Sequence, residues 1–198
     1  LQNQLSMREN NQKDKFTVRK DFPGAAGILP GYTEFFSGLK AVACSGGLDQ
    51  PLGQRISDYV MQWLKDHPLD SFDRYSEERY VRDYIGRCPE TLWEAIVMTW
   101  KKGNTTTIHG HPRFAGYYFA DGKFLVEVFE KADGGNDASP AKVRKVDSFT
   151  VDQPKAFFAV GTPGTYDNHI HRLTCLSDTG HSLHVYSDDA LKGEVYTE

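Results

Sequence analysis

A chain of 198 residues with 39% hydrophobic side chains has apolar surface for one sizeable core and too little length for two. Its 23 Lys and Arg against 27 Asp and Glu leave a formal charge of -4, so no positive field draws a phosphate backbone, and nucleic acid is excluded as a partner. No apolar run approaches the ~20 residues that span a bilayer, and Cys44, Cys88 and Cys175, odd in number and unrelated in spacing, fit free thiols in a reducing compartment.

The polar start Leu1-Gln2-Asn3-Gln4 is no secretory signal, and a cytoplasmic monomer is expected. Residues 1 to about 20 are rich in Asn, Gln, Lys and Asp and read as a mobile tail, with the polar extension taken to residue 40 and one domain over 41–198. Leu52, Ile56, Tyr59, Val60, Trp63 and Leu64 recur at helical spacing and stop near His67-Pro68, which predicts an amphipathic helix. A second short helix is expected over 77–85, before Gly86 and Pro89, so the helical part spans about 52–90.

From 91 to 198 the texture changes to short aromatic and β-branched runs separated by turn residues. Strands are expected over 92–100, 105–111, 117–129, 142–151, 156–160, 170–176 and 182–186, the third broken into a hairpin by Asp121-Gly122. Helices in front of about eight strands imply a mainly β fold, a small jelly-roll barrel whose interior holds one compact ligand site.

His109-Gly110-His111 puts two imidazoles at i and i+2, and on a strand such residues share a face about 7 Å apart, within reach of one metal ion. The pair follows Gly103 with Gly-x5-His-x-His spacing and is answered downstream by His169, His171, His181 and His184. No carboxylate follows the second His at 115 or 116, where Ala115 and Gly116 stand, so the site reads as three His. Three neutral imidazoles on one face of an octahedron leave positions open for substrate and oxygen, which suits ferrous iron. Ser182, His184 and Tyr186 alternate with Leu183 and Val185 and so line one strand face. They do not make a hydrolase triad, because no acidic orienter and no nucleophile elbow accompany the serine. They can make a relay, the serine orienting His184 and His184 the phenol.

Together these residues resemble the cysteine dioxygenases, cupin enzymes that oxidise the thiol of L-cysteine to a sulfinic acid. The resemblance runs over about 52–187 and rests on Arg79-Tyr80-Val81-Arg82, on the stretch from Trp100 ending in Ile108-His109-Gly110-His111, on Ile170-His171-Arg172-Leu173, and on the run from Ser182 through Tyr186 to Ser187. It implies a cupin barrel with one Fe(II) per chain held by His109, His111 and His171, and with Ser182, His184 and Tyr186 beside it. It further implies that Arg82, helped by Tyr80, grips the substrate carboxylate, a task for which a guanidinium fork is suited. The substrates would be L-cysteine and O2, both oxygen atoms going to sulfur. Related mercaptopropionate dioxygenases typically carry Gln at the place of Arg82, which favours L-cysteine. Another small thiol such as 3-mercaptopropionate or cysteamine, and a non-catalytic metal-binding cupin, are the alternatives. His169 rivals His171 as third ligand, and the match of Ile-His-Arg-Leu favours His171.

The chain departs from the family pattern at three places. Gly116 stands where vertebrate members carry a cysteine cross-linked to the active-site tyrosine, so Tyr186 is expected to stay an unmodified phenol. Asp188-Asp189 replaces a common proline pair, and the sequence stops at Glu198, where a longer C-terminal hairpin would help close the pocket.

Overall fold

The computed structural model describes residues 27–132 and 141–198. Among the described residues two helices precede the strands. α1 (Thr33–Ala43) buries Phe35, Phe36 and Leu39 on one side. α2 (Gln50–Asp66) starts at Asp49, whose carboxylate accepts the Leu52 N–H at 2.9 Å, with Pro51 in the first turn; a capping acid and an early proline together satisfy and preset a helix start. Its Leu52, Ile56 and Val60 are at most 1% exposed, and each contributes about 1.5–3 kcal/mol relative to remaining in water.

Ten strands follow among the described residues: β1 (Val81–Arg87), β2 (Glu94–Lys101), β3 (Ile108–His111), β4 (Phe114–Asp121), β5 (Phe124–Lys131), β6 (Ala141–Val151), β7 (Lys155–Val160), β8 (Asn168–Cys175), β9 (Thr179–Tyr186) and β10 (Val195–Thr197). One sheet has the order β1-β2-β9-β4-β7, and the other five strands close in the order β10-β3-β8-β5-β6. The fold is therefore mainly β, a small barrel with helices in front, as the strand texture implies.

The first sheet has two apolar faces. Ala95, Val97, Phe114, Tyr118, Leu183 and Val185 pack with α1 and α2. Ile96, Met98, Trp100, Tyr117, Phe119 and Tyr186 pack instead with Phe124, Val126, Leu173 and Cys175 of the closed sheet. Strand alternation produces this division: Leu183 and Val185 go to the helices, and Tyr186 goes to the interior.

Three differences from the sequence reading matter. The helix expected over 77–85 does not form, because Val81–Arg87 is strand β1, paired antiparallel with β2 from Val81↔Thr99 to Arg87↔Glu94. Both faces of β1 are buried except at Tyr84 and Arg87, so its pattern lacks the period of two, and cross-strand pairing outweighs a weak local helical pattern. Secondly, α1 and the stretch before it lie within what reads as polar extension: Leu29 N–H donates to the Ile85 carbonyl at 2.8 Å. The tail over residues 1–20 lies outside the described residues. Thirdly, the C-terminal strand β10 pairs with β3 (Val195↔His109) and with β6, so it closes the barrel beside His109.

The three cysteines are free, Cys88 and Cys175 buried and Cys44 exposed. No helix among the described residues is long and apolar enough to cross a membrane.

Candidate metal centre

His109 and His111 stand on β3 and His171 on β8, the two strands pairing as His109↔His171 and His111↔Asn168. Two steps on β3 thus match three on β8, a β-bulge that re-aims side chains at the barrel wall. One nitrogen from each of His109, His111 and His171 lies within 4.8 Å of the others, and the ring centroids are 4.4–5.0 Å apart. No other such grouping occurs among the described residues.

The set fits a divalent cation. His109 Nδ1 lies 2.8 Å from the Thr107 carbonyl and His111 Nδ1 lies 2.9 Å from that of Asn168. A carbonyl can only accept, so each Nδ1 carries the proton and each Nε2 lone pair is available. His171 is 1% exposed, and its Nδ1 is buried without a hydrogen-bond partner; such an orphan costs about 1–3 kcal/mol, which coordination of an ion by that nitrogen would offset. Burial, and then the neighbouring imidazoles, hold His111 and His171 well below the ordinary histidine range. Burial and the neighbouring rings thus keep these imidazoles neutral, the form that binds metal, while the carbonyls fix which nitrogen carries the proton. With no carboxylate among them, the ligand set leaves the full charge of the ion for anionic ligands.

His169 does not join the three. Its Nε2 shares a 2.7 Å hydrogen bond with the Tyr117 hydroxyl, and burial lowers its pKa to about 4.

Beside the histidines runs a hydrogen-bonded line on the interior face of β9. Trp100 Nε1–H donates to Ser182 Oγ at 2.9 Å, Ser182 Oγ is 2.7 Å from His184 Nε2, and His184 Nδ1 is 3.2 Å from the Tyr186 hydroxyl. The indole can only donate, which leaves the serine O–H free to donate onward. His184 Nε2 then accepts, so its Nδ1 carries the proton and donates to the Tyr186 oxygen. Burial, followed by the Arg82 charge, depresses His184 to about 3, consistent with this neutral tautomer. The hydroxyl proton of Tyr186 is thereby released to point elsewhere. The Tyr186 ring stacks on His111, with centroids 5.8 Å apart, and burial raises its pKa so that it stays a neutral donor.

Arg82 lies on β1 opposite Met98 and is 6% exposed. Its cross-strand neighbour Met98 packs in the interior cluster with Tyr186, and directly opposed residues share a sheet face. Tyr80 precedes β1, its ring 4.7 Å from that of Trp100. The structure thus joins the three imidazoles to the line from Trp100 to Tyr186 through the His111–Tyr186 stack, with Tyr80 against Trp100 and Arg82 opposite Met98 on the same sheet.

Gly116 is not the residue next to Tyr186. Ala115 pairs with Tyr186 while Gly116 pairs with Val185, and a Cβ at Gly116 would strike the Tyr118 hydroxyl on the helix side. With alanine at the facing position, no sulfur stands there to cross-link the phenol. Asp188 accepts from the Tyr166 hydroxyl at 2.8 Å, and Asp189 caps the short 3-10 turn Ala190–Lys192 through Leu191 N–H. Sequence reasoning missed the parts played by Trp100, Tyr117 and Asn168. Trp100 and Tyr117 fall in expected strands, and alternation alone puts Tyr117 on the face of Ala115 and Phe119.

No family model matches the chain, and no curated protein matches it. Solved structures that it resembles include a cupin superfamily protein from Desulfitobacterium hafniense, 11% identical over 62% of this chain and 89% of that one, with a TM-score of 0.42. Others are an RmlC-like cupin protein from Desulfovibrio desulfuricans, 15% identical over 62% and 96% with a TM-score of 0.42, and oxalate oxidase in complex with glycolate, 14% identical over 57% and 53% with a TM-score of 0.41. Likenesses this distant are silent on the reaction, and what the centre can do rests on its own residues.

Proposed function

We propose that the protein is a thiol dioxygenase that converts L-cysteine and O2 to cysteine sulfinic acid at one Fe(II) held by His109, His111 and His171. The observation that carries this reading is the line Trp100-Ser182-His184-Tyr186, which frees a phenolic proton beside a three-imidazole centre. A simple metal store has no use for such a donor. The iron, when bound, supplies a Lewis acid that favours the thiolate and a redox centre for oxygen.

The chain's own residues supply position and hydrogen bonds. Arg82, buried in the interior wall, holds the substrate carboxylate by a bidentate pair and fixes one pose of a small zwitterion. Tyr80, packed on Trp100, shapes that end of the pocket. Tyr186 donates its hydroxyl proton toward charge that builds on oxygen during the reaction, with no reorganisation because His184 already holds its oxygen. Ser182 and Trp100 fix the His184 tautomer. The apolar interior of Ile96, Met98, Phe119 and Leu173 limits water around the reacting groups.

Oxygen uptake by the Fe(II)-loaded protein, measured with L-cysteine, 3-mercaptopropionate and cysteamine, tests the proposal. L-Cysteine is expected to give the highest kcat/KM and the sulfinate as product. Equal or better turnover of 3-mercaptopropionate would reassign the substrate, and an iron-loaded protein that consumes no oxygen with any thiol would sink the enzymatic reading.

A further inference from the structure

We infer that Tyr117 is a positioning residue for the metal ligand His111 and that it acts through His169; the inference rests on reading His109, His111 and His171 as a metal centre. The starting point is the bulge between β3 and β8. There His169 adopts φ of 46°, a left-handed backbone that only a few per cent of non-glycine residues take, histidine among the more frequent of them. That turn brings two carbonyls onto one ring nitrogen, since His111 Nδ1 lies 2.9 Å from the Asn168 oxygen and 3.1 Å from that of His169. The partner of a ligand's second nitrogen sets ring orientation and tautomer, so the bulge aims His111.

The bulge is anchored on both flanks. On one side the two N–H groups of the Asn168 amide are shared among the carbonyls of Pro112, Arg113 and Ala159 at 3.1, 3.1 and 3.0 Å. On the other the His169 side chain is tethered to the Tyr117 hydroxyl at 2.7 Å. Tyr117 is a firm post: it is 2% exposed, stacks on Phe157 with centroids 5.1 Å apart, and meets His171 edge-on at 4.8 Å. Its interior neighbours on β4 are Ala115 and Phe119, so the packing alone asks for no hydroxyl. The tether accounts for that hydroxyl. It holds His169 in a backbone region that the residue would otherwise leave, and with it the two carbonyls at His111.

Cobalt(II) titration of the metal-free full chain, read by affinity and by the visible absorption of the bound ion, tests this with Tyr117→Phe, His169→Gly and the double variant. Tyr117→Phe is expected to weaken Co(II) binding about 10-fold and to shift the absorption bands, as loss of a partner behind a ligand does. His169→Gly should bind within about twofold of the parent, because glycine takes the left-handed turn without a tether. The double variant should match His169→Gly, since the tether has then nothing to hold. Tyr117→Phe binding as tightly as the parent, or weakening the His169→Gly background as much as the parent, would overturn the inference while leaving the metal centre intact. A parent protein that takes up no Co(II) would overturn both.

Discussion

Tyr186 lies almost parallel to His111, with 10° between their planes and 5.8 Å between their centroids, so the end of the Trp100-Ser182-His184-Tyr186 line is seated on a metal-ligand ring. Tyr186→Phe keeps that stacking and removes only the hydroxyl. It should lower kcat about 100-fold, the scale of losing one preorganised donor, while iron content stays unchanged. Parallel iron analysis and oxygen uptake check both halves; a loss of iron in step with activity would mean that the tyrosine acts on the centre's assembly.

Ser182→Ala leaves the buried Trp100 N–H without its acceptor and His184 Nε2 without its donor. Stability should fall by about 1–3 kcal/mol, the cost of an orphaned buried polar group, read by urea unfolding. The variant should also lose turnover, because His184 can then carry its proton on Nε2 and accept the Tyr186 O–H at Nδ1, which ties up that donor.

Arg82→Gln should raise KM for L-cysteine about 10-fold or more, the value of a charge-assisted pair with a carboxylate. Cysteamine, which has no carboxylate, should show little change. Steady-state oxygen uptake with both thiols separates the two; an equal loss for both would place Arg82 in the framework and not at the substrate.

A pH dependence of stability is expected from His181, which is 5% exposed and lies away from the metal centre. Its Nδ1 is 3.0 Å from the Asp121 carboxylate and its Nε2 is 2.7 Å from the Phe72 carbonyl, with the Tyr75 hydroxyl at 3.2 Å. Burial opposes protonation, but the Asp121 carboxylate, the Phe72 carbonyl and then Asp70 outweigh it and raise the pKa. A raised folded-state pKa gives stability that is fully present below the unfolded value of about 6.5 and is lost as pH rises through the folded value. Urea unfolding should therefore show His181→Gln costing more at pH 5.5 than at pH 9. A cost independent of pH would contradict the ion pair.

Period-two alternation made the interior face of β9 legible, because Ser182, His184 and Tyr186 are separated by Leu183 and Val185, which belong to the helix-facing core. The spacing from Leu52 to Leu64 and the stop at His67-Pro68 made α2 legible for the same kind of reason. β1 was not, since a strand covered on both faces loses its alternation and Arg82 there looks like a helical surface residue. α1 was hidden because Phe35, Phe36 and Leu39 form a short apolar face in a stretch that opens with polar sequence. The bulge at His169 and the placement of Ala115 beside Tyr186 depend on strand register, which pairing across the sheet sets and no local pattern records. His169 and His171 sit two apart and look equivalent in sequence; the register shift sends one to Tyr117 and the other to the cluster.

The central claim is most directly tested by incubating the Fe(II)-loaded protein with L-cysteine under 18O2 and weighing the product. The account predicts cysteine sulfinate carrying two labelled oxygen atoms, with one O2 consumed per thiol. Disulfide as the product, or a sulfinate with only one labelled oxygen, would contradict it.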